Sequence, residues 1–139
     1  MSFTLDLKKA VKNINKNTER VVRGTLFSLS NRIIEATPVG NPSLWKSPAP
    51  PGYIGGTLRA AWNASIGTPD LSLSTSTAAQ TAINQVASTT QALKIGQTFY
   101  LTNPQPYAWR VEYGWSSQRP QGMVRVNVAQ TQNVINGLS

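Results

Sequence analysis

The chain of 139 residues contains no cysteine, no histidine and only five acidic side chains. Disulfides, zinc sites built from Cys or His, thiol nucleophiles and every His-based acid–base arrangement are therefore excluded. No apolar run reaches 18 residues, so no transmembrane helix is expected. The first residues, "MSFTLDLKKAVKNINKN", carry charges throughout and do not read as a signal peptide. The expected compartment is the cytoplasm, or a particle assembled there.

The acids, Asp6, Glu19, Glu35, Asp70 and Glu112, are scattered singly, with no DxD or ExxE spacing for a metal. Distant carboxylates could still meet in space, so two-carboxylate hydrolysis stays formally open. The glycines near Gly52–Gly56 precede no GK[ST], so no phosphate loop is present. The many serines have neither a histidine nor a nucleophile-elbow motif to mark one of them. The reading is non-enzymatic, with no catalytic residue, no metal site and no cofactor.

What is abundant is positive charge, 13 Lys+Arg against 5 Asp+Glu for a formal +8. Such an excess favours polyanions or acidic protein surfaces. Apolar residues make up 40%, and much of the rest is Ser, Thr, Asn and Gln, so long loops or segments ordered by a partner are expected.

The length suits one domain over 1–139, of class α+β. Leu7, Val11, Ile14, Val21, Val22, Leu26, Leu29 and Ile33 recur at helical steps, predicting one helix over 3–36. Ser2 or Thr4 would cap it, Gly24 could bend it, and Thr37-Pro38 would end it. Residues 37–56 hold five prolines and four glycines, predicting an extended loop. Its Trp45 and Tyr53 either fold back on their own domain or dock on an adjacent subunit. Alternation from Leu58 to Ile66 predicts a strand over 57–67, a thin apolar face predicts a helix over 77–94, and "QTFYLT" predicts a strand over 97–102. A short helix over 106–113 and a C-terminal helix over 122–137 complete the pattern, although Val124, Val126 and Val128 would suit a strand equally well at the front of the last element. Both long helices are expected to pack on a small, mainly antiparallel sheet.

Two constellations stand out. Lys8, Lys12, Lys16 and Arg20 follow at four-residue steps, with Lys9 and Arg23 beside them. On a helix they would form one oblique ridge whose mutual repulsion calls for an anionic neighbour, either phosphate backbone or a carboxylate-lined partner. Glu19 has Arg23 four residues ahead as a simple ion-pair partner. The second constellation is "NPQPYAWRVEYG" (103–114), which concentrates aromatics around a scarce carboxylate. Glu112 reads as a structural clamp, pairing with Arg59, Arg110 or Arg125, or accepting bonds from loop amides. Tyr107, Trp109 and Tyr113 are expected to pin the short helix to the sheet, with Gly114 permitting the turn that follows.

The order of "TPVG", "GTLRAAWNASIG", "NPQPYAWRVEYG" and "RPQGMVRVNVAQ" resembles the tail-completion (neck) proteins of tailed bacteriophages, the HK97-type head–tail joining family. The resemblance rests on Thr37, Pro38, Val39 and Gly40; on Leu58, Arg59 and Trp62; on Asn103, Pro106, Tyr107, Ala108, Glu112, Tyr113 and Gly114; and on Gly122 with Met123. It implies a virion protein at the head–tail junction, assembled in the host cytoplasm as a homo-oligomeric ring around the DNA channel. Its partners would be the head connector or adaptor, the tail terminator or tail tube, and packaged duplex DNA through non-specific electrostatics, with no membrane. On that reading Lys8, Lys9, Lys12, Lys16, Arg20 and Arg23 face DNA or an acidic partner. Trp45, Lys46, Tyr53, Trp115 and Arg119 would belong to subunit-interface loops, while Arg59 and Trp62 join Tyr107–Gly114 in the structural motif. Competing expectations are a tail terminator or head–tail adaptor, and a free-standing basic DNA-binding protein.

Overall fold

The computed structural model describes residues 2–6, 16–40, 42–44, 48–51, 54–94, 96–106, 108–114, 118–119 and 121–137, with backbone alone at 2–6, 16–18, 42 and 134–137. The class is α+β, with an antiparallel sheet under a layer of helices.

β1 (Ser2–Asp6) occupies the stretch where a helix was expected to begin. "SFTLD" alternates apolar Phe3 and Leu5 with Thr4 and Asp6, a period of two that a helix cannot use. The expected caps Ser2 and Thr4 thus lie in a strand, and the helix proper, α1, spans Lys16–Ala36. Leu26, Leu29, Ile33 and Ile34 form its buried stripe. Gly24 does not break it, because the stripe on the other side of the helix holds the backbone against the core. At its end, Thr37 N donates to the Ile33 and Ile34 carbonyls at 3.1 Å, and Pro38 forbids continuation.

A 3₁₀ turn at Pro42–Leu44 interrupts the proline-rich loop. The strand expected over 57–67 is corrected in its first half. Thr57–Ala60 forms one helical turn, α2, and β2 covers only Asn63–Ile66. Gly56, at φ 110°, turns the chain, and Ala60 N donates to Gly56 O at 2.9 Å. Leu58, Ala60, Ala61 and Trp62 are all buried, so buried and exposed positions do not alternate as a half-buried strand requires.

α3 (Ala79–Ala92) lies within the tract 77–94 and buries Ala82, Val86 and Thr90. β3 (Thr98–Thr102) is the central strand, antiparallel to β1 on one side and β2 on the other. Leu101 pairs with Phe3 and Ala64, and Phe99 with Leu5 and Ile66. α4 (Ala108–Glu112) and α5 (Val124–Gly137) close the chain. α1 packs on α3 and on α5. Trp62, Phe99, Leu101, Val86, Leu93 and Met123 fill the core beneath α1.

Candidate functional site

The four sequence segments that stand out converge on the end of α1. A helix C-terminus leaves carbonyls without intrahelical donors, and here arginines supply them. Arg59 donates from Nε to Thr37 O at 2.8 Å and from Nη2 to Glu35 O at 3.1 Å. Arg119 donates from Nε to Ala36 O. Arg59, offered by sequence as a partner of Glu112, is instead a C-terminal cap of α1. Arg119, expected in an interface loop, is half-buried and holds its own domain together.

Trp62, fully buried, donates from Nε1 to Thr37 Oγ1 at 2.8 Å, and Thr37 Oγ1 donates in turn to Ile33 O at 2.8 Å. Asn103, also fully buried, donates to Leu58 O at 2.9 Å and accepts from Gln105 N at 3.1 Å. The first three segments are therefore stitched together by side-chain-to-backbone bonds.

The fourth is stitched by Glu112, only 2% exposed. Its Oε2 accepts from Met123 N at 2.6 Å and Val124 N at 2.7 Å, and its Oε1 accepts from Arg125 N at 2.9 Å and Arg125 Nε at 3.0 Å. α5 begins at Val124, and the residue at its N-cap position, Met123, has no side-chain oxygen to offer. Glu112 supplies that cap from the preceding helix, placing a negative charge at the positive end of α5. Arg125 completes the clamp by donating from Nη2 to Glu112 O at 2.7 Å. Burial raises the Glu112 pKa, but the amides of Val124, Arg125 and Met123 and the Arg125 side chain outweigh it, leaving the carboxyl below its ordinary 4.5. Both oxygens are occupied, so the group is an ionised clamp with no lone pair aimed at a cleft. Gly122 is required beside it. At φ +88°, a Cβ there would stand 2.3 Å from Glu112 O.

The aromatics of α4 behave differently from expectation. Trp109 and Tyr113 are 52% and 60% exposed and do not pin the helix to the sheet. The inner face of α4 is Ala108 and Glu112, leaving the rings outside, edge-to-face at 5.9 Å between centroids. Arg125 lies 4.7 Å from the Tyr113 ring centroid, in cation–π range. Gly114 takes φ +88° in the turn after α4. A cleft of about 360 Å³ opens alongside, lined by Ala36, Arg119, Gly122, Asn127 and Gln130 among others.

The basic ridge is only partly in view. Lys8, Lys9 and Lys12 lie outside the described residues, as does the side chain of Lys16, and β1 precludes a single helix running from residue 3. Arg20 is exposed. Arg23 pairs with Glu19 and donates to Leu93 O at 2.8 Å, so it is no free cation. Trp45, Lys46, Tyr53, Tyr107 and Trp115 also lie outside the described residues. Among the described residues no three His, Cys, Asp or Glu side chains gather as a metal site, and no helix is long and apolar enough to cross a membrane.

Sequence reasoning missed the capping roles of Arg59 and Arg119. A helix ending in Ala-Thr-Pro, with no glycine to close it, was the available signal that donors must come from elsewhere. No family model, curated protein or solved structure matches the chain.

Proposed function

We propose that the chain is a non-enzymatic structural component of a phage neck, a tail-completion protein that assembles as a ring between head connector and tail. The observation that carries the reading is the engagement of Glu112. The acid of the "PYAWRVEYG" segment is locked into the start of α5 by three amides and an arginine. Thr37, Arg59, Trp62 and Asn103 likewise bond inward to the chain itself. The segments that carry the resemblance thus build a frame, and the frame leaves aromatic and proline side chains outward, at Trp109, Tyr113, Pro48, Pro50 and Pro51. Contacts of that composition suit docking to protein neighbours. The +8 charge favours acidic neighbours or DNA, whose negative charge offsets the repulsion between copies.

The test is native mass measurement of the chain mixed with a candidate phage head-connector protein, with duplex DNA as a parallel probe. A defined oligomer on the connector supports the neck role. Failure to join the connector, together with tight, steeply salt-dependent duplex binding by the chain alone, would assign it to free-standing DNA binding instead.

A further inference from the structure

The outer face of α1 is chemically unlike a solvated helix face. On the side opposite the stripe of Leu26, Leu29, Ile33 and Ile34, a 100° step per residue places Gly24, Ser28 and Glu35 in one sector, flanked by Val21, Asn31 and Arg20, with Phe27 at its edge. A helix lying on a core normally carries charge there. This one carries it only at the two ends, with opposite signs. Between them Val21 is 56% exposed and Phe27 37%.

Gly24 sits on that face, and among the described residues nothing requires it, since a Cβ there meets nothing within 4 Å. Glycine in a helix interior is unfavourable relative to alanine, so its place here is unexplained by the lone chain. Neither Arg20 nor Glu35 forms an ion pair among the described residues; Arg59 reaches only the Glu35 backbone.

We infer that this face is covered by α1 of a second copy of the chain, packed antiparallel about a two-fold axis. In the register that sets Phe27 against Ser28, Arg20 of one copy lies opposite Glu35 of the other, and Gly24 lies opposite Asn31. Every pair occurs twice, as an isologous contact demands. Arg20 and Glu35 are fifteen residues apart, about 22 Å along the axis, so a shallow crossing of about 20° keeps both charge pairs in reach. Gly24 lets the helices approach to about 8 Å. The contact is small, at the lower end of specific interfaces, so the dissociation constant is on the order of micromolar. This describes the free protein and does not rest on the neck reading, whose failure would show only in the connector experiment.

Sedimentation of the purified full chain from low micromolar to near-millimolar concentration tests it. The expected result is a reversible monomer–dimer equilibrium. R20E and E35R each place like charges opposite one another twice and should weaken the dimer about tenfold. The double variant R20E/E35R restores opposite charges and should return to within about threefold of the parent. Gly24→Gln should weaken the dimer while raising the melting temperature of the dilute monomer, because the new side chain meets open space. Circular dichroism on each variant verifies that the helices persist. A parent that stays monomeric throughout would overturn the inference, as would single reversals without effect or a double variant no tighter than either single one.

Discussion

Replacing Glu112 by glutamine keeps the shape of the side chain and removes its charge, so it isolates what the carboxylate contributes. One glutamine oxygen can still accept, but the other position becomes an NH₂ that faces backbone donors now held at 2.6 to 2.9 Å. At least one amide at the start of α5 is then left without an acceptor in a buried place, worth about 1–3 kcal/mol. The lost charge at the helix N-terminus adds about 1 kcal/mol in a partly buried geometry. Together E112Q should destabilise the fold by about 3 kcal/mol at pH 7, lowering the melting temperature by about 10 °C for a chain of this length. The pH dependence sharpens the test. The folded carboxyl titrates below 4.5, so between the folded and unfolded values the unfolded chain binds more protons and stability rises with pH. The contribution is complete above the unfolded value and is lost as pH falls through the folded one. Urea unfolding followed by tryptophan fluorescence should therefore show the gap between parent and E112Q full at pH 7 and closing below pH 4.5. A gap under about 1 kcal/mol at pH 7, or one that fails to shrink in acid, would refute the clamp.

Other consequences follow from the same frame. Gly122→Ala puts a methyl 2.3 Å from Glu112 O on a backbone at φ +88°, and should cost about 2 kcal/mol or more, read as a fall in the urea midpoint. Trp62→Phe keeps most of the buried volume but leaves Thr37 Oγ1 without the indole donor held at 2.8 Å, for an expected loss of about 2 kcal/mol by thermal unfolding. Arg59→Lys replaces a fork that reaches two carbonyls from two separate nitrogens by one ammonium nitrogen, so it should lose about 1 kcal/mol where a purely surface arginine would lose nothing measurable.

The α+β class, α3 and β3 were legible because their patterns are regular. Ala79, Ile83, Val86, Thr90 and Leu93 keep helical spacing, and "TFYLT" alternates between two neighbours. The failures have a common physical root. "SFTLD" is five residues of alternation placed just before a long helical stripe, and the longer period absorbed the shorter one. "TLRAAW" alternates only if alanine is counted as polar at one position and apolar at the next, yet Ala60 and Ala61 are both buried. Burial of the α4 aromatics was misjudged because ring size was weighed over helical phase. Trp109 and Tyr113 are one turn apart and share a flank about 100° round from buried Ala108 and Glu112. Glu112 itself was readable as a clamp, with Arg125 and loop amides among the partners offered, whereas its role as a remote cap was not. That role depends on Met123 standing where a serine or aspartate would ordinarily cap α5.

The proposed neck role is tested most directly by imaging intact phage particles, with the protein located by an antibody fragment raised against the chain. The account predicts label at a symmetric collar between head and tail in every complete particle, and tailless heads when the chain is deleted. Complete, infectious particles that lack the chain altogether would contradict it.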